Sequence, residues 1–382
     1  MKQNQNITGE NWKEEPLSED ELYQFITKKI MDSLRTGDPY SRQKTFQEFS
    51  RILDKPKEEQ KYTQDWQSYN KAQQGEKVLL IEMLNDLLIY IDFPAIKKKV
   101  GRNPIPTREK IFYLVMHAYN QKSTRRCISD LELCRKLNYI EKKPHFNTIS
   151  KILKEQEITN YLKHLIQISG LPLQQVELDF AVDSTGFSTY QYGRWFDTRL
   201  RDFSDKKKFR KCHATCGVKT NIITAVNITQ GYEADSPQFG DLVHQTNRIY
   251  NIREVSADKA YSSRNNLQIV SDIGAKAFIP FKKNVTGNQK GNQIWGQMYR
   301  YYSYHRVEFL EHYHKRSNSE TVFHMLKMKF GSTLRTKNEI SQTNEILAKC
   351  LAHNLCVLIQ ERFEIGIDVN FEKCAEIPIA HK

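Results

Sequence analysis

The sequence lacks the features of a secreted, membrane-spanning or disulfide-stapled protein. Its 382 residues include seven cysteines, an odd number without framework spacing, which is typical of free thiols in a reducing compartment. The richest apolar run, from Val78 to Ile91, is interrupted by three polar residues and is shorter than the roughly 20 apolar residues of a membrane span. The N-terminal segment has no apolar core of a signal peptide. We therefore expect a cytoplasmic protein that does not enter a membrane.

Glycine and proline are also scarce, with 16 and 11 residues, and 39% of the chain is hydrophobic. This composition excludes a collagen-like or wholly disordered chain and is typical of a globular protein. What the chain has in excess is positive charge, because 58 Lys and Arg stand against 45 Asp and Glu, a net charge of +13. Such a charge indicates a polyanionic partner, either nucleic acid or an anionic membrane surface. Charge alone does not choose between them.

The first half of the chain has a helical pattern after a polar start. Residues 1–75 are interrupted by charge and are predicted to be a polar arm, partly helical or disordered. Residues 76–171 repeat apolar positions at helical spacing, which predicts an all-helical domain. Within it, Pro144 ends one helix and Asn147 is placed to cap the next, a spacing compatible with a DNA-binding helix-turn-helix.

Two basic segments are candidate DNA-binding regions. Arg125 and Arg126 precede the helix pair, where they are equally well explained as phosphate contacts or as a solvated helix face. Between residues 194 and 219, nine Lys or Arg stand against three Asp, and this run includes Lys206, Lys207 and Lys208. A solvated hairpin is the simpler explanation of such a run, but we favour phosphate binding with a salt-dependent affinity.

At Pro172 the period changes from helical to that of strands. Residues 176–183 alternate apolar and polar side chains, and we predict a strand that Asp183 closes. Two further strands, a helix and then alternating strands and helices predict an α/β domain with a mixed sheet over residues 172–364. An irregular segment at about 281–305 is interpreted as a short insertion, and residues 365–382 as a C-terminal tail.

Three acidic residues in this domain are candidates for a shared site. Asp183 and Asp258 stand where strands are predicted to end, and Glu320 lies on a helix. Placed on a helical wheel, Tyr313, Arg316, Glu320 and Lys327 form one stripe. An ordinary solvent-facing helix surface would explain this stripe as well. The two aspartates at strand ends favour convergence of all three acids at one edge of the sheet.

Three close carboxylates repel one another unless a cation neutralises them. Ligation by oxygen alone selects a hard ion, and Mg²⁺ suits a site shared with water and phosphate. Two such ions, about 3.5 to 4 Å apart, would bracket a scissile phosphate. The chemistry indicated is cleavage or exchange of a phosphodiester, with Arg316 and Lys327 holding a phosphate and Tyr313 assisting.

The spacing Tyr313-x2-Arg316-x3-Glu320-x6-Lys327, with Asp183-Ser-Thr and Ala-Asp258-Lys-Ala-Tyr before it, resembles a known family. It is similar to the Asp-Asp-Glu transposases of bacterial and archaeal insertion sequences, in the branch with a Tyr-Arg-Glu-Lys signature. The resemblance extends over about residues 101–364 and leaves out the first hundred residues and the tail.

The resemblance implies a ribonuclease-H-like fold with Asp183 on the first strand, Asp258 on the fourth and Glu320 on a later helix. These three would be catalytic metal ligands for two Mg²⁺ ions, for which Mn²⁺ substitutes. The partners implied are double-stranded DNA, both terminal inverted repeats and target, and a second copy in a dimeric synaptic complex at the nucleoid of a prokaryote. Trp295 would stack on a flipped base, or it anchors a loop.

Three functions are consistent with these residues. The first is a cut-and-paste transposase that nicks element ends and joins them to target DNA. The second is a ribonuclease-H-like nuclease or resolvase that cuts without joining. The third is a DNA-binding protein derived from a transposase that has lost catalysis. The phosphate-holding pair of Arg316 and Lys327 favours joining, because a cleaved end must be retained for its second reaction.

Overall fold

The computed structural model of the protein describes residues 65–94, 103–189, 209–288 and 291–378. Most of the predicted polar arm lies outside these ranges, as do Lys206, Lys207 and Lys208. Residues Thr63–Lys382 form one compact unit. In the part of the chain that is described, no helix is long and apolar enough to cross a membrane.

The first elements of this unit are helices, which confirms the predicted N-terminal helical region. Side-chain caps begin two of them: the Asp65 carboxylate accepts hydrogen bonds from the amides of Gln67 and Ser68, and the Ser123 hydroxyl accepts one from the Arg126 amide. The five helices are α1 (Trp66–Ile89), α2 (Thr107–Asn120), α3 (Thr124–Lys136), α4 (Phe146–Ile152) and α5 (Gln156–Ser169).

The predicted helix pair is α3 and α4, and it differs from the prediction in two ways. His145, rather than Asn147, is the N-cap of α4, and its side chain accepts the hydrogen bond from the Asn147 amide. The connection between the helices is residues 137–145, which is longer than the three or four residues of a helix-turn-helix turn. The extra length accommodates Tyr139 and Ile140, which pack against the hydrophobic core.

A five-stranded mixed sheet follows and confirms the predicted α/β fold, with the strand order β3-β2-β1-β4-β5. The first three strands are antiparallel neighbours, whereas β4 and β5 run parallel to β1. This is the ribonuclease-H-like arrangement that the sequence predicts. The strands are β1 (Asp179–Ser188), β2 (Phe209–Gly217), β3 (Ile223–Gln230), β4 (Glu254–Ala257) and β5 (Lys276–Phe278).

The prediction that Asp183 closes its strand is wrong. β1 continues to Ser188, because the residues after Asp183 pair with β2 in a register that runs from Ser184 opposite His213 to Ser188 opposite Phe209. What ends near Asp183 is the parallel pairing of β1 with β4, whose last pair is Val182 opposite Ala257.

The helices after β3 lie between and beyond the remaining strands. They are α6 (Phe239–Asn247), α7 (Arg264–Asp272), α8 (Gln293–Tyr304), α9 (Arg306–His314), α10 (Ser317–Phe330) and α11 (Glu339–Glu364). The segment predicted as an irregular insertion therefore contains a regular helix, α8. Tyr313 lies on α9, so the predicted stripe does not belong to one continuous helix.

The core is shared by the helical part and the sheet. α11 has 26 residues, most of them buried, and it packs against α1, α2 and α5 as well as against β3 and β2. Apolar side chains of the helices and of the strands form one hydrophobic cluster. The boundary predicted between residues 171 and 172 thus falls inside a single compact unit.

A candidate carboxylate site at the edge of the sheet

Asp183 and Asp258 lie side by side on neighbouring strands. Val182 and Ala257 are paired in parallel register, and each aspartate is the next residue along the chain, Asp183 within β1 and Asp258 just after the end of β4. Neighbouring strands lie about 4.8 Å apart. The Asp258 carboxylate is held by the Lys259 amide at 2.6 Å, where it caps a one-turn helix. The geometry therefore directs two carboxylates to the same edge of the sheet.

Glu320 joins them from α10 through an arginine. Arg316 stands at the N-cap of α10, and its Nη1 lies 2.8 Å from Asp183 Oδ2 while its Nη2 lies 2.5 Å from Glu320 Oε1. One guanidinium thus contacts both carboxylates. This arrangement brings the strand residue and the helix residue together across 137 positions of sequence.

The three groups differ in their exposure to solvent. The side chains of Asp183 and Arg316 are 18% and 20% exposed, whereas that of Glu320 is 62% exposed. Burial raises the pKa of Asp183 above its ordinary value, and the nearby Asp258 carboxylate adds to this effect. The charge of Arg316 opposes it. Asp183 is therefore a partly buried acid whose loss of solvent outweighs the hydrogen bonds and the positive charge that it receives.

Ser319 is a member of this site that sequence reasoning missed. Its side chain is fully buried, and its hydroxyl lies 3.2 Å from Asp183 Oδ2 and donates at 2.7 Å to the Arg316 carbonyl. A serine on a helix gives no sequence signal of its own. Its position directly before Glu320 is the one feature that could have drawn attention to it.

Tyr313 reaches the same site from α9. Burial raises its pKa; the Asp258 and Asp183 carboxylates add to this effect, whereas the neighbouring Arg316 opposes it. Tyr313, Arg316 and Glu320 are therefore brought together as predicted, but by a corner between two helices and not by a single helix face.

Lys315 fixes that corner to the sheet. Its Nζ lies 2.8 Å from Asp179 Oδ2 and 2.8 Å from Glu254 Oε2, at the first residues of β1 and β4. Nothing in the spacing of the sequence predicts these contacts. They hold the start of α10 against the two strands that carry the aspartates.

An open cleft of about 520 Å³ extends from Asp183 along α10. Lys327 lies in its wall, with Nζ 5.7 Å from the centre of the Phe187 ring, and burial lowers the pKa of this lysine. The cleft is lined by Asp183, Ser184, Thr185, Glu320, Phe323, His324, Lys327, Met328 and Ser332. Lys327 and Glu320 thus face one shared space.

The donors at this site fit a hard divalent ion in kind, since all of them are carboxylate oxygens. A cation already lies between two of them, namely the guanidinium of Arg316. Within the described ranges, no three His, Cys, Asp or Glu side chains are grouped closely enough to hold a metal ion. A metal held by Asp183 and Glu320 would therefore require Arg316 to move away from them.

Trp295 is buried, with 4% of its surface exposed. Its Nε1 donates to the Thr286 carbonyl at 3.0 Å, Arg264 lies over the ring at 4.6 Å and Phe281 contacts it edge-on. These contacts anchor the segment before α8, as one of the two interpretations of this residue expects. Stacking on a base would require the ring to leave them.

Arg125 and Arg126 are both exposed on α3. The Arg125 guanidinium lies 4.7 Å from the centre of the Phe146 ring on α4, so it also joins the two helices. The remaining predicted DNA contacts, Lys206, Lys207 and Lys208, lie outside the described residues.

A mixed sheet of this order, with carboxylates where the parallel pairing ends and a third on a later helix, defines a ribonuclease-H-like α/β domain. Residues 174–355 match the family described as the transposase DDE domain. These 182 of the 382 residues are similar to that family, which agrees with the resemblance indicated by the signature residues and supports a transposase.

One solved structure with some similarity is a cryo-EM structure of the piggyBac transposase synaptic complex with hairpin DNA. It has 10% sequence identity and a TM-score of 0.36, over 78% of this chain and 75% of that chain. A score of this size is too low to bear on the fold or the function.

Proposed function

We propose that the protein is a transposase that cleaves DNA at the ends of its element and joins those ends to target DNA, with Asp183, Asp258 and Glu320 as the catalytic acids. The observation that carries this proposal is the contact of Arg316 with both Asp183 and Glu320, beside Asp258, within the residues that match the transposase DDE domain. If Arg316 and Glu320 only formed a solvent-facing helix surface, Arg316 would not contact Asp183, a partly buried aspartate on the central strand.

Asp183, Asp258 and Glu320 would hold two Mg²⁺ ions, or Mn²⁺ in their place. When bound, such a pair supplies Lewis-acid activation of the attacking oxygen and stabilisation of the leaving one. Burial, with a smaller contribution from Asp258, raises the pKa of Asp183, and divalent cations would stabilise the ionised form of this acid. The cut-and-paste route belongs to this proposal.

Arg316 would have one role before the metal ions bind and another role after they bind. Without metal it neutralises Asp183 and Glu320, and with metal its guanidinium would turn to a DNA phosphate, which it matches by bidentate hydrogen bonds. Lys327, in the wall of the same cleft, would hold a second phosphate of the cleaved end. Tyr313 would add a hydroxyl beside Arg316.

DNA binding would extend over the helical part. Arg125 and Arg126 on α3 would contact phosphates of the terminal repeats, and Lys206, Lys207 and Lys208 would add positive charge for DNA binding. The dimeric synaptic complex, the prokaryotic nucleoid as its location and the stacking of Trp295 on a flipped base follow from the family resemblance. They belong to the same proposal.

The experiment is to incubate the protein with DNA that carries the element ends in the presence of Mg²⁺ and to score nicks, hairpins and joined products. We expect nicks at the ends followed by joined products. Nicks without joining would instead indicate a nuclease or resolvase. Binding without strand breaks would indicate a non-catalytic DNA-binding protein.

A further inference from the structure

A buried ion pair lies on α11, behind the cleft. Lys349 and Glu345 are one helical turn apart, Nζ lies 3.6 Å from Oε1, and each side chain is 5% exposed. Burying two charges is costly unless their hydrogen bonds are also made. The partners of these two residues therefore indicate what the pair holds in place.

All of these partners belong to the loop that follows α10. Lys349 Nζ donates to the carbonyls of Gly331 and Thr333, both at 3.2 Å. The Glu345 carboxylate accepts from the amide of Arg335 and from the amide and hydroxyl of Thr336. The pair thus holds both ends of the segment 331–336.

This loop follows α10 along the chain and is hydrogen-bonded to the end of β1. The Ser188 amide donates to the Ser332 carbonyl at 3.1 Å, and the Leu334 amide donates to the Ser188 carbonyl at 2.8 Å. Lys327, one helical turn before Gly331, lies on α10, and Asp183 lies on β1. The loop therefore sets how far the cleft wall that carries Lys327 stands from the strand that carries Asp183.

Phe187 connects the ion pair to Lys327 directly. Its ring is fully buried, Lys349 Nζ lies 5.5 Å from its centre and Lys327 Nζ lies 5.7 Å from it. Two ammonium groups thus share one aromatic ring, which attracts cations through its quadrupole. A substitution of Lys349 would therefore change the position of the Lys327 ammonium through the Phe187 ring as well as through the loop.

We propose that Lys349 and Glu345 are positioning residues that hold the ammonium of Lys327 in the cleft, where it binds a phosphate of the DNA end. This inference rests on the proposed function, because it takes the phosphate contact of Lys327 from there. Neither Lys349 nor Glu345 touches the cleft itself, so both act through the loop 331–336 and Phe187.

The test is the double variant Lys349→Met/Glu345→Gln, whose net charge equals that of the wild type. Its affinity for a duplex carrying the element end is measured over a range of salt concentrations in the absence of divalent ions. Loss of one phosphate contact lowers the slope of log K against log salt by about one. We expect this loss in the double variant, together with complexes that dissociate about tenfold faster.

A structural role alone would not change the salt slope of a variant with unchanged charge. Each single variant leaves one charge buried and should melt at a lower temperature, whereas the double variant should recover much of that loss. If the double variant melts like the wild type and keeps its salt slope and complex lifetime, the inference is overturned.

Lys327→Ala provides the second arm. On its own it should lower the salt slope by about one, and adding Lys349→Met/Glu345→Gln to it should change nothing further. An equal further loss in that background would show that the ion pair does not act through Lys327 and would overturn the inference. An unchanged salt slope in Lys327→Ala itself would instead contradict the phosphate contact of Lys327 that the proposed function assumes.

If the double variant does not fold cooperatively, the substitution Phe187→Leu is the alternative test of the inference. It keeps the ion pair and removes the ring that both lysines approach. We expect a lower salt slope in this variant as well, and no further loss when it is combined with Lys327→Ala. A wild-type slope in a folded Phe187→Leu protein would contradict the positioning of Lys327.

Discussion

The two ends of the paired strands β1 and β4 carry charge clusters of opposite character. At their first residues, Asp179 and Glu254 face Lys315 and Arg253, so that two acids meet two bases; we call this the paired end. Where the parallel pairing ends, Asp183 and Glu320 contact Arg316, and Asp258 lies near Asp183, so that one guanidinium serves two of three acids; we call this the open end.

The two ends differ in the direction of the pKa shift of their aspartates, Asp179 and Asp183, which both lie partly buried on β1. At the paired end, burial is outweighed by hydrogen bonds from Arg253 and Lys315, and the pKa of Asp179 is lowered. At the open end, burial prevails and the pKa of Asp183 is raised. The hydrogen bonds of the first cluster more than offset the burial of Asp179, whereas those of the second do not offset the burial of Asp183.

The largest expected effect comes from removing an acid at the open end. Glu320→Gln should lower strand breakage by about 10³-fold or more, because a metal ligand contributes several kcal/mol of transition-state stabilisation. Binding to the element end should remain largely intact. Cleavage and gel-shift assays measure the two effects, with the exposed Glu372→Gln as the matched control. Wild-type breakage in Glu320→Gln would remove this residue from the site.

A matched pair of substitutions on β1 compares the two ends directly. Asp179→Asn leaves Lys315 and Arg253 short of a partner and should lower the free energy of unfolding by about 2 kcal/mol. Asp183→Asn removes a charge whose burial is not fully offset by its hydrogen bonds and by Arg316, and it should leave stability within about 0.5 kcal/mol of the wild type or raise it. Urea unfolding at neutral pH measures both, and equal losses would contradict the distinction between the ends.

Arg316 should compete with metal at the open end. Arg316→Ala should bind Mn²⁺ about tenfold more tightly in the absence of DNA, because two carboxylates lose the cation that they hold. Lys327→Ala, which removes a charge from the same cleft without touching a carboxylate, is the control for general electrostatics. Calorimetry with Mn²⁺ measures both affinities. Equal affinities in Arg316→Ala and Lys327→Ala would show that the guanidinium does not compete.

The smallest expected effect is on pH dependence, where the two ends should act with opposite sign. The lowered pKa of Asp179 contributes stability above its ordinary value of 3.8, and this is lost as the pH falls through the folded-state pKa. The raised pKa of Asp183 costs stability that grows as the pH rises from 3.8 through its folded-state pKa. Asp179→Asn should therefore flatten the acid limb of the stability curve, by about 1 kcal/mol, and Asp183→Asn should steepen it.

Unfolding followed by fluorescence at a series of pH values checks this prediction. The wild-type curve should lie between those of the two variants in its dependence on pH. A change of the same sign in both variants would contradict the assignment of the two pKa directions.

Sequence reasoning predicted the α/β fold, which the structure confirms, and it proposed the three acids, because each left a local signal. The alternation before Asp183 predicts a strand, and the spacing from Arg316 to Glu320 places both on one side of a helix. The same reasoning ended β1 too early, since Ser184, Thr185 and Gly186 directly after Asp183 are small and break the apolar alternation. They form a strand because β2 provides the hydrogen-bond partners, and such a partner cannot be recognised in a short window of sequence.

The corner before α10 could not be predicted for a related reason. Residues 313–327 have good helical spacing throughout, yet the helix begins at Ser317 and Tyr313 belongs to α9. Lys315 is held by two carboxylates that lie far away in the sequence, and their attraction decides where the chain bends. Ser319 and the pair Lys349 and Glu345 were missed because their roles depend entirely on distant partners.

The sequence by itself determined the elements of this protein, its excess of positive charge and the identity of its signature acids, because periodicity, composition and residue type are properties of neighbouring positions. The tertiary structure decided which charges have partners. Asp179 and Asp183 lie four positions apart on one strand, and their pKa values move in opposite directions because the hydrogen bonds from Arg253 and Lys315 outweigh burial at Asp179, whereas burial prevails at Asp183. Electrostatic energy depends on distance in space and on burial, and neither can be read from distance along the chain.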